Sequence, residues 1–435
     1  MDHEREISIK YISRVEGQGS VFIKVKNSKV EGISLNIFEP PRFFERFLIG
    51  RKFDEVHYVT SRICGICPIA HVTTALRAVE NAVGIEVDEQ TKTLRKLLAM
   101  SGIIQSHSLH VFLLAAPDYV GYPDAIAMAR DYPNLVKKAF RIKKLANKIS
   151  VAVGGRAVHP ISASVGGFLK FPSEDKLMNL KNELIEAKND AEETIRLVAK
   201  FSFPELNRKQ EFLALSRPDE YAIYDGKLVS SNGLKISEAD YRQYIEEHYL
   251  PYSNAKFSNL RHGSSFAVGP LARVNLNNSM LNDDAKQVAG EVGFKVPETN
   301  VFKATLARAI EILHFIEESI KIIEKIKIKE AKPTYSWKSG FGVALTEAPR
   351  GTLYHSYRVG RNGLIEESDI VTPTAHNAYN IENDLKEIVP KILSLKSEGE
   401  VKKTCEMLVR AYDPCISCSV HFLNLKIENS QNHKT

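Results

Sequence analysis

Two stretches of this sequence carry the same chemical signature. SRICGICPIAH (Ser61–His71) holds Cys64 and Cys67 as a C-x-x-C pair, and DPCISCSVH (Asp413–His421) holds Cys415 and Cys418 the same way, each pair trailed by a histidine. Thiolates are soft, electron-rich ligands that suit copper, zinc, iron or nickel, and a lone C-x-x-C pair can also work as a redox dithiol. A zinc ribbon closes its two knuckles over roughly 15–20 residues, because the metal organises a small local fold. Here 347 residues separate Cys67 from Cys415, so the fold itself must bring the chain ends together. The residue types alone leave three readings open: structural zinc, two independent redox pairs, or a catalytic metal held by sulfur. The fifth cysteine, Cys405, lies in EVKKTCEMLVRAY with Val401, Leu408 and Val409 on its helical stripe, and reads as a buried core residue.

Composition narrows the classes. The 435 residues carry 59 basic and 53 acidic side chains, a net charge of +6, with both signs interleaved. A nucleic-acid footprint would need basic residues clustered on one face, and none is expected. The densest basic stretch, VKKAFRIKKLANK, reads as a solvated helix face. The opening MDHEREISIK lacks an apolar signal core, and no run reaches the roughly 18 apolar residues of a membrane span. VFLLAAP is expected as a buried helix segment, and the chain as soluble and cytoplasmic. Without a signal, an odd set of cysteines dominated by two pairs favours metal or redox chemistry over a disulfide framework.

The elements that must position the pairs are mostly helical. Strands are expected first, over Ser20–Phe38, where Val21, Ile23 and Val25 share a face. Helices follow: one from Pro68, with Ile69, Leu76, Val79 and Val83 on one stripe; a long one over Glu89–Asp118 ended by Pro117; and two more near Asn134–Val153 and Glu174–Phe201. Asp225–Gly226 signals a hairpin, and Ser237 with Asp240 resembles a capping box opening another helix. A long amphipathic helix is expected over 302–328, strands with a turn at Arg361–Gly363, then closing helices. The expected fold class is α+β, mainly helical, with sheet pieces drawn from the start, middle and late parts and no clear domain boundary.

RICGICPIAH together with DPCISCSVH resembles the paired signatures of the nickel–iron hydrogenase large subunit. SRVEGQG (Ser13–Gly19), RFFERFLIGR (Arg42–Arg51), EAPRGTLYH (Glu347–His355) and DIVTPTAHN (Asp369–Asn377) resemble the same family in the same order, so the likeness spans essentially the whole chain. AYDPCISCSVH and LLAAPDYVGY look most like the cytosolic NAD(P)-linked, sulfhydrogenase-type group. The resemblance implies that family's fold, a long central helix bundle with small peripheral sheets. It also implies reversible cleavage of H2 into protons and electrons.

Family roles then fall on particular residues. Cys64 and Cys415 would be terminal nickel ligands, and Cys67 and Cys418 would bridge nickel to an iron carrying diatomic ligands. Glu16, in RVEG, matches a proton-relay carboxylate expected beside Cys415; outside that motif a lone glutamate is ordinarily solvated surface. Arg350 would lie over the open coordination position, its alternative being a buried structural ion pair. Thr374 matches a residue that hydrogen-bonds an iron ligand, where a plain loop threonine is the alternative. Asp413 belongs to the same arginine and proton network. Glu45, His421 and the carbonyl of Ile370 resemble ligands of a second, hard ion, magnesium or iron; Glu45 could instead pair with Arg46 or Arg51. Ser106 stands where many respiratory members carry Asp, so Asp413 would lack one carboxylate companion. His107 and His110 have metal-ligand spacing but read as buried hydrogen-bonding residues. Ile66 fills a place linked to gas access, or simply packs the turn.

No further cysteines remain for iron–sulfur clusters, and no G-x-G-x-x-G follows a strand. Electrons would therefore leave through a partner: an iron–sulfur small subunit, with flavin- and NAD(P)-binding subunits beyond it. A deazaflavin- or heterodisulfide-reductase-linked hydrogenase is the alternative enzyme. A structural zinc protein, or a quinone-pocket subunit like that of complex I, is the alternative of another class. Residues 1–421 are expected as one large-subunit domain. The polar tail over 422–435 is expected as an extension that a maturation protease removes.

Overall fold

A computed structural model describes residues 4–27 and 29–420. Five long helices form its centre: Pro68–Val83, Glu89–Leu109, Pro133–Gly154, Glu174–Val198 and Ala304–Lys325. The Ala304–Lys325 helix packs on both Glu174–Val198 and Glu89–Leu109, and Pro133–Gly154 packs across the same two partners. Their shared interior is apolar, with Leu76, Leu97, Leu98, Ile149, Leu184, Ile195, Ile310 and Leu313 buried. This is the expected outcome of apolar stripes too wide to leave in water.

Small sheets sit around the bundle. The N-terminal meander pairs Glu4–Ile9, Gly19–Lys26 and Lys29–Ile37 antiparallel. A second meander, Gly340–Ala348, Gly351–Val359 and Ile365–Val371, lies late in the chain and packs against the Pro68–Val83 helix. That contact is close. A Cβ on Gly342 would fall 2.1 Å from the Ala82 backbone nitrogen, so only glycine lets the strand lie on the helix. A four-stranded sheet comes from the middle, including Glu211–Ser216 and Lys227–Ser230. The α+β, mainly helical reading therefore describes the observed architecture.

Three local expectations are corrected. Pro117 does not end its helix: the chain passes through a π-helical segment, His110–Ala115, and continues as Ala116–Val120 to Gly121. Pro117 then stands in the first turn of the continuing piece, where its missing N–H costs nothing. Asp225–Gly226 is not a two-residue hairpin. Ser216 pairs with Lys227, so the dipeptide closes a longer loop, which Arg217 ties together by bonding Asp219 and Asp225. Ser237 spends its hydroxyl on the Asp240 carboxylate (2.7 Å) rather than on a backbone N–H. The helix there lasts one turn, Tyr241–Tyr244, before a strand begins. By composition the helical run Glu89–Val120 is long enough to cross a membrane, but 83% of its apolar window is buried inside the protein. VFLLAAP lies in that run. The extension expected over 422–435 lies outside the described residues, as does His421.

Candidate metal centre

Each cysteine pair sits on a turn that opens a helix. Cys67 precedes Pro68, and Cys415 precedes the short helix Ile416–Ser419. The fold brings these turns face to face. Cys64 Sγ lies 3.2 Å from Cys415 Sγ, Cys67 Sγ 3.6 Å from Cys418 Sγ, and Cys415 Sγ 2.8 Å from Cys418 Sγ. All four are buried, and their sulfurs lie within 4.8 Å of one another. No disulfide joins any of the five cysteines. Four thiols packed this closely cannot all ionise without a cation. Hydrogen bonds from Cys415, Cys418 and Cys67 hold the Cys64 thiol well below its ordinary range. Burial first, then the neighbouring thiols, push Cys415 well above it. A soft metal ion would remove that conflict, so this donor set fits a thiolate-ligated metal.

Glu16 is held against the second turn. A parallel bridge links it to Cys415, with the Ile416 N–H donating to the Glu16 carbonyl at 2.9 Å. Its Oε2 accepts from Cys415 Sγ at 3.1 Å and from the Ser417 N–H at 3.0 Å. Thr374, at the start of the Pro373–Ile392 helix, accepts the Cys415 N–H through Oγ1 at 2.9 Å. Its own hydroxyl proton is not used in that bond.

Arg350 occupies the turn between two strands of the late meander. Its guanidinium donates to the Asp413 carbonyl at 2.6 Å and to Asp413 Oδ1 at 2.9 Å. Its remaining terminal nitrogen is buried without a partner. Burial works against the charge, but Asp413 and the thiols of Cys415, Cys67 and Cys64 more than offset it, so the group stays cationic. Burial raises the Asp413 carboxyl, with Arg350 opposing. A cavity of about 10 Å³ is lined by Cys67, Cys415 and Cys418 together with Arg350, Thr374 and Leu353. That is room for about one water-sized molecule.

The remaining expected residues divide. Glu45 and Ile370 do meet, with the Ile370 N–H donating to Glu45 Oε1 at 2.9 Å. His107 and His110 behave as buried hydrogen-bonding residues: His107 Nε2 pairs with Glu311 at 2.7 Å and His110 Nε2 with the Arg410 carbonyl at 2.7 Å. Burial lowers both, His107 to about 4. Ser106 Oγ is buried without a partner. Ile66 is half-buried, and its N–H points at Cys64 Sγ (3.2 Å). Cys405 lies in a separate apolar cluster, its thiol pushed up to about 12 by burial.

The family description "Nickel-dependent hydrogenase" matches residues 42–138 and 220–421. The chain is 39% identical over 424 residues to sulfhydrogenase 1 subunit alpha of Pyrococcus furiosus, covering 96% of this chain and 98% of that one. This chain belongs to the nickel-dependent hydrogenase family. It is the large subunit of a nickel–iron hydrogenase, and its four buried cysteines form a group that could hold a metal ion. The NAD-reducing hydrogenase HoxS subunit beta of Cupriavidus necator is 29% identical, covering 96% of this chain and 95% of that one. A solved NAD+-reducing [NiFe]-hydrogenase in the H2-reduced state superposes with a TM-score of 0.84 at 29% identity, covering 96% of this chain and 99% of that chain.

Sequence reasoning missed some residues of this hydrogenase site. His71, quoted with the first pair, reaches the cavity. Its Nδ1 meets His355 Nε2 at 3.1 Å, and His355 Nδ1 meets the Tyr357 hydroxyl at 2.6 Å. Glu39 and Arg42 also contact the cysteine turns. Both lie in or beside the motif RFFER, and their contacts to Ser417 and Ile63 are set by the fold and leave no local pattern.

Proposed function

We propose that Cys64, Cys67, Cys415 and Cys418 would hold nickel, that Cys67 and Cys418 would also hold iron, and that Cys415 and Glu16 carry the proton released when H2 is cleaved. When bound, the metal pair supplies polarisation of H2 and acceptance of its electrons. The chain supplies the rest. The Cys415 thiolate takes a proton at Sγ as the base. Glu16 Oε2, 3.1 Å away and fixed by the Ser417 N–H, receives it next. Glu16 is only half-buried, so its carboxyl can pass the proton outward. Arg350, cationic and without a partner at one nitrogen, places fixed positive charge beside the cavity where charge separates. Burial of the sulfurs keeps water from competing for the site.

The Cys415–Glu16 contact carries this reading. Glu16→Gln keeps the shape but cannot cycle a proton. In the complete enzyme it should lower H2-driven dye reduction by about a hundredfold or more, the scale of a lost proton-transfer group, with nickel content unchanged. Undiminished turnover in a fully nickel-loaded Glu16→Gln enzyme would send the proton elsewhere.

Thr374 fits support of an iron-bound diatomic ligand, through the hydroxyl proton that Cys415 does not use. Glu45, the Ile370 carbonyl and His421 would hold magnesium or iron; a carboxylate with a carbonyl and water suits a hard ion. Cleavage by a maturation protease after His421 would remove 422–435. Electrons would pass to an iron–sulfur small subunit and then through flavin- and NAD(P)-binding subunits in the cytoplasm. The NAD-reducing relative and the NAD+-reducing solved structure support that acceptor.

A further inference from the structure

We infer that Arg42 is a positioning residue that clamps the two cysteine turns together across the metal centre. One terminal nitrogen of its guanidinium donates both to the Ile63 carbonyl (2.5 Å), next to Cys64, and to the Ser417 carbonyl, between Cys415 and Cys418. A terminal guanidinium nitrogen carries two N–H groups, and here each goes to a different cysteine turn. The Arg42 backbone N–H also donates to the Val420 carbonyl at 2.7 Å. Glu39, three residues earlier, accepts from Ser417 Oγ at 2.6 Å and stands 4.0 Å from the Arg42 guanidinium. The segment 39–42 thus grips the second turn at Ser417 and Val420 and joins it to the first at Ile63.

The second turn has few other ties to the first. Glu16 and Thr374 fix Cys415 to its own surroundings, and Ile416 and Val420 pack with Ile37 and Ala255. None of those contacts reaches the Ser61–Cys67 stretch. Among the described residues, the sulfur contacts and the Arg42 hydrogen bonds link the two turns. The two turns come from opposite ends of the sequence, and a cation bonded to a backbone carbonyl of each fixes their spacing around the sulfurs. A planar, permanently charged fork suits that role better than an ammonium. Through its backbone the clamp also reaches Val420, the last described residue.

This inference rests on the nickel–iron reading of the cage. The test uses the complete complex, comparing wild type with Arg42→Ala and Arg42→Lys. Nickel release into a strong chelator is followed with time, alongside the infrared or paramagnetic signature of the centre and far-ultraviolet dichroism of the fold. Arg42→Ala should release nickel about tenfold faster, the scale of a lost charge-assisted hydrogen bond, and shift the spectral signature. Arg42→Lys should fall between it and wild type. If Arg42→Ala does not fold, the Lys variant decides alone. Wild-type release and an unshifted spectrum in a folded variant would overturn the clamp. Absence of nickel from the wild type would instead overturn the reading beneath it.

Discussion

Cys415 and Cys405 are both buried thiols near the chain end, yet they should respond oppositely to substitution. Cys415 touches two other sulfurs and a carboxylate. Cys415→Ser exchanges a soft ligand for a hard one and should abolish both nickel retention and H2 uptake. Cys405 touches an apolar cluster. Cys405→Ala should leave turnover intact and cost about 1 kcal/mol, as for one deleted buried methylene, read as a lower midpoint in denaturant. Loss of activity in a folded, nickel-loaded Cys405→Ala enzyme would contradict the assignment. Arg350→Lys is sharper still. Lysine cannot reproduce the paired bonds to the Asp413 carbonyl and carboxylate. Turnover should fall more than tenfold while nickel content stays at the wild-type level. At this scale the sequence was highly informative for Cys64, Cys67, Cys415, Cys418 and Glu16, because long motifs surround them. Arg42 and His355 were hidden because their partners are a backbone carbonyl and a histidine hundreds of residues away, and no local pattern records that.

The element that presents Glu16 is the loop between the first two strands. Arg14 in that loop, at φ 57°, donates to Asp118 at 2.5 Å, and Asp118 also receives two bonds from Arg410. Asp118 lies just after the π-helical segment, so the altered helix is what aims this carboxylate at both arginines. Asp118→Asn would remove the carboxylate shared by Arg14 and the buried Arg410, leaving Arg410 only the longer ion pair with Glu406 at 3.8 Å among the described residues. The expected cost is about 3–5 kcal/mol of stability, with a fall in turnover as the loop loosens. A variant with wild-type melting behaviour would mean that the loop is held some other way. Helix positions were legible because apolar stripes at helical spacing are a strong signal. The π segment was not, because a backbone shift of one residue leaves no mark in composition. The short turn after Ser237 was misread for a related reason: a capping pattern gives a start, but only tertiary packing decides how far a helix runs.

Across the whole molecule, several histidines are buried and uncharged. Burial first, with nearby arginine, lowers His57 to about 3; burial lowers His107 to about 4, His314 to about 4 and His376 to about 3. Each binds its proton more weakly folded than unfolded, near 6.5. Their neutral form therefore contributes full stability above about pH 6.5, and that contribution falls as pH drops toward 4. Glu317, raised to about 7 mainly by burial, works in the opposite sense, losing stability as pH rises through its range. Burial also raises Glu347, Glu382, Asp384 and Asp413 in that opposing sense, but the large downward shifts of the histidines set the net sign, so melting temperature should fall between pH 6.5 and 4; a flat profile there would contradict their neutral burial. The global fold was readable in outline because the family signatures run the length of the chain, whereas the close seat of the late meander on the Pro68–Val83 helix depends on glycines whose neighbours only the fold reveals. The most direct test of the central claim is X-ray absorption at the nickel edge on the intact, purified complex. The expected spectrum shows nickel in a shell of sulfur with an iron neighbour, both lost in Cys415→Ser. Nickel bound only by nitrogen and oxygen, or zinc alone in the sulfur cage at about 2.3 Å, would contradict it.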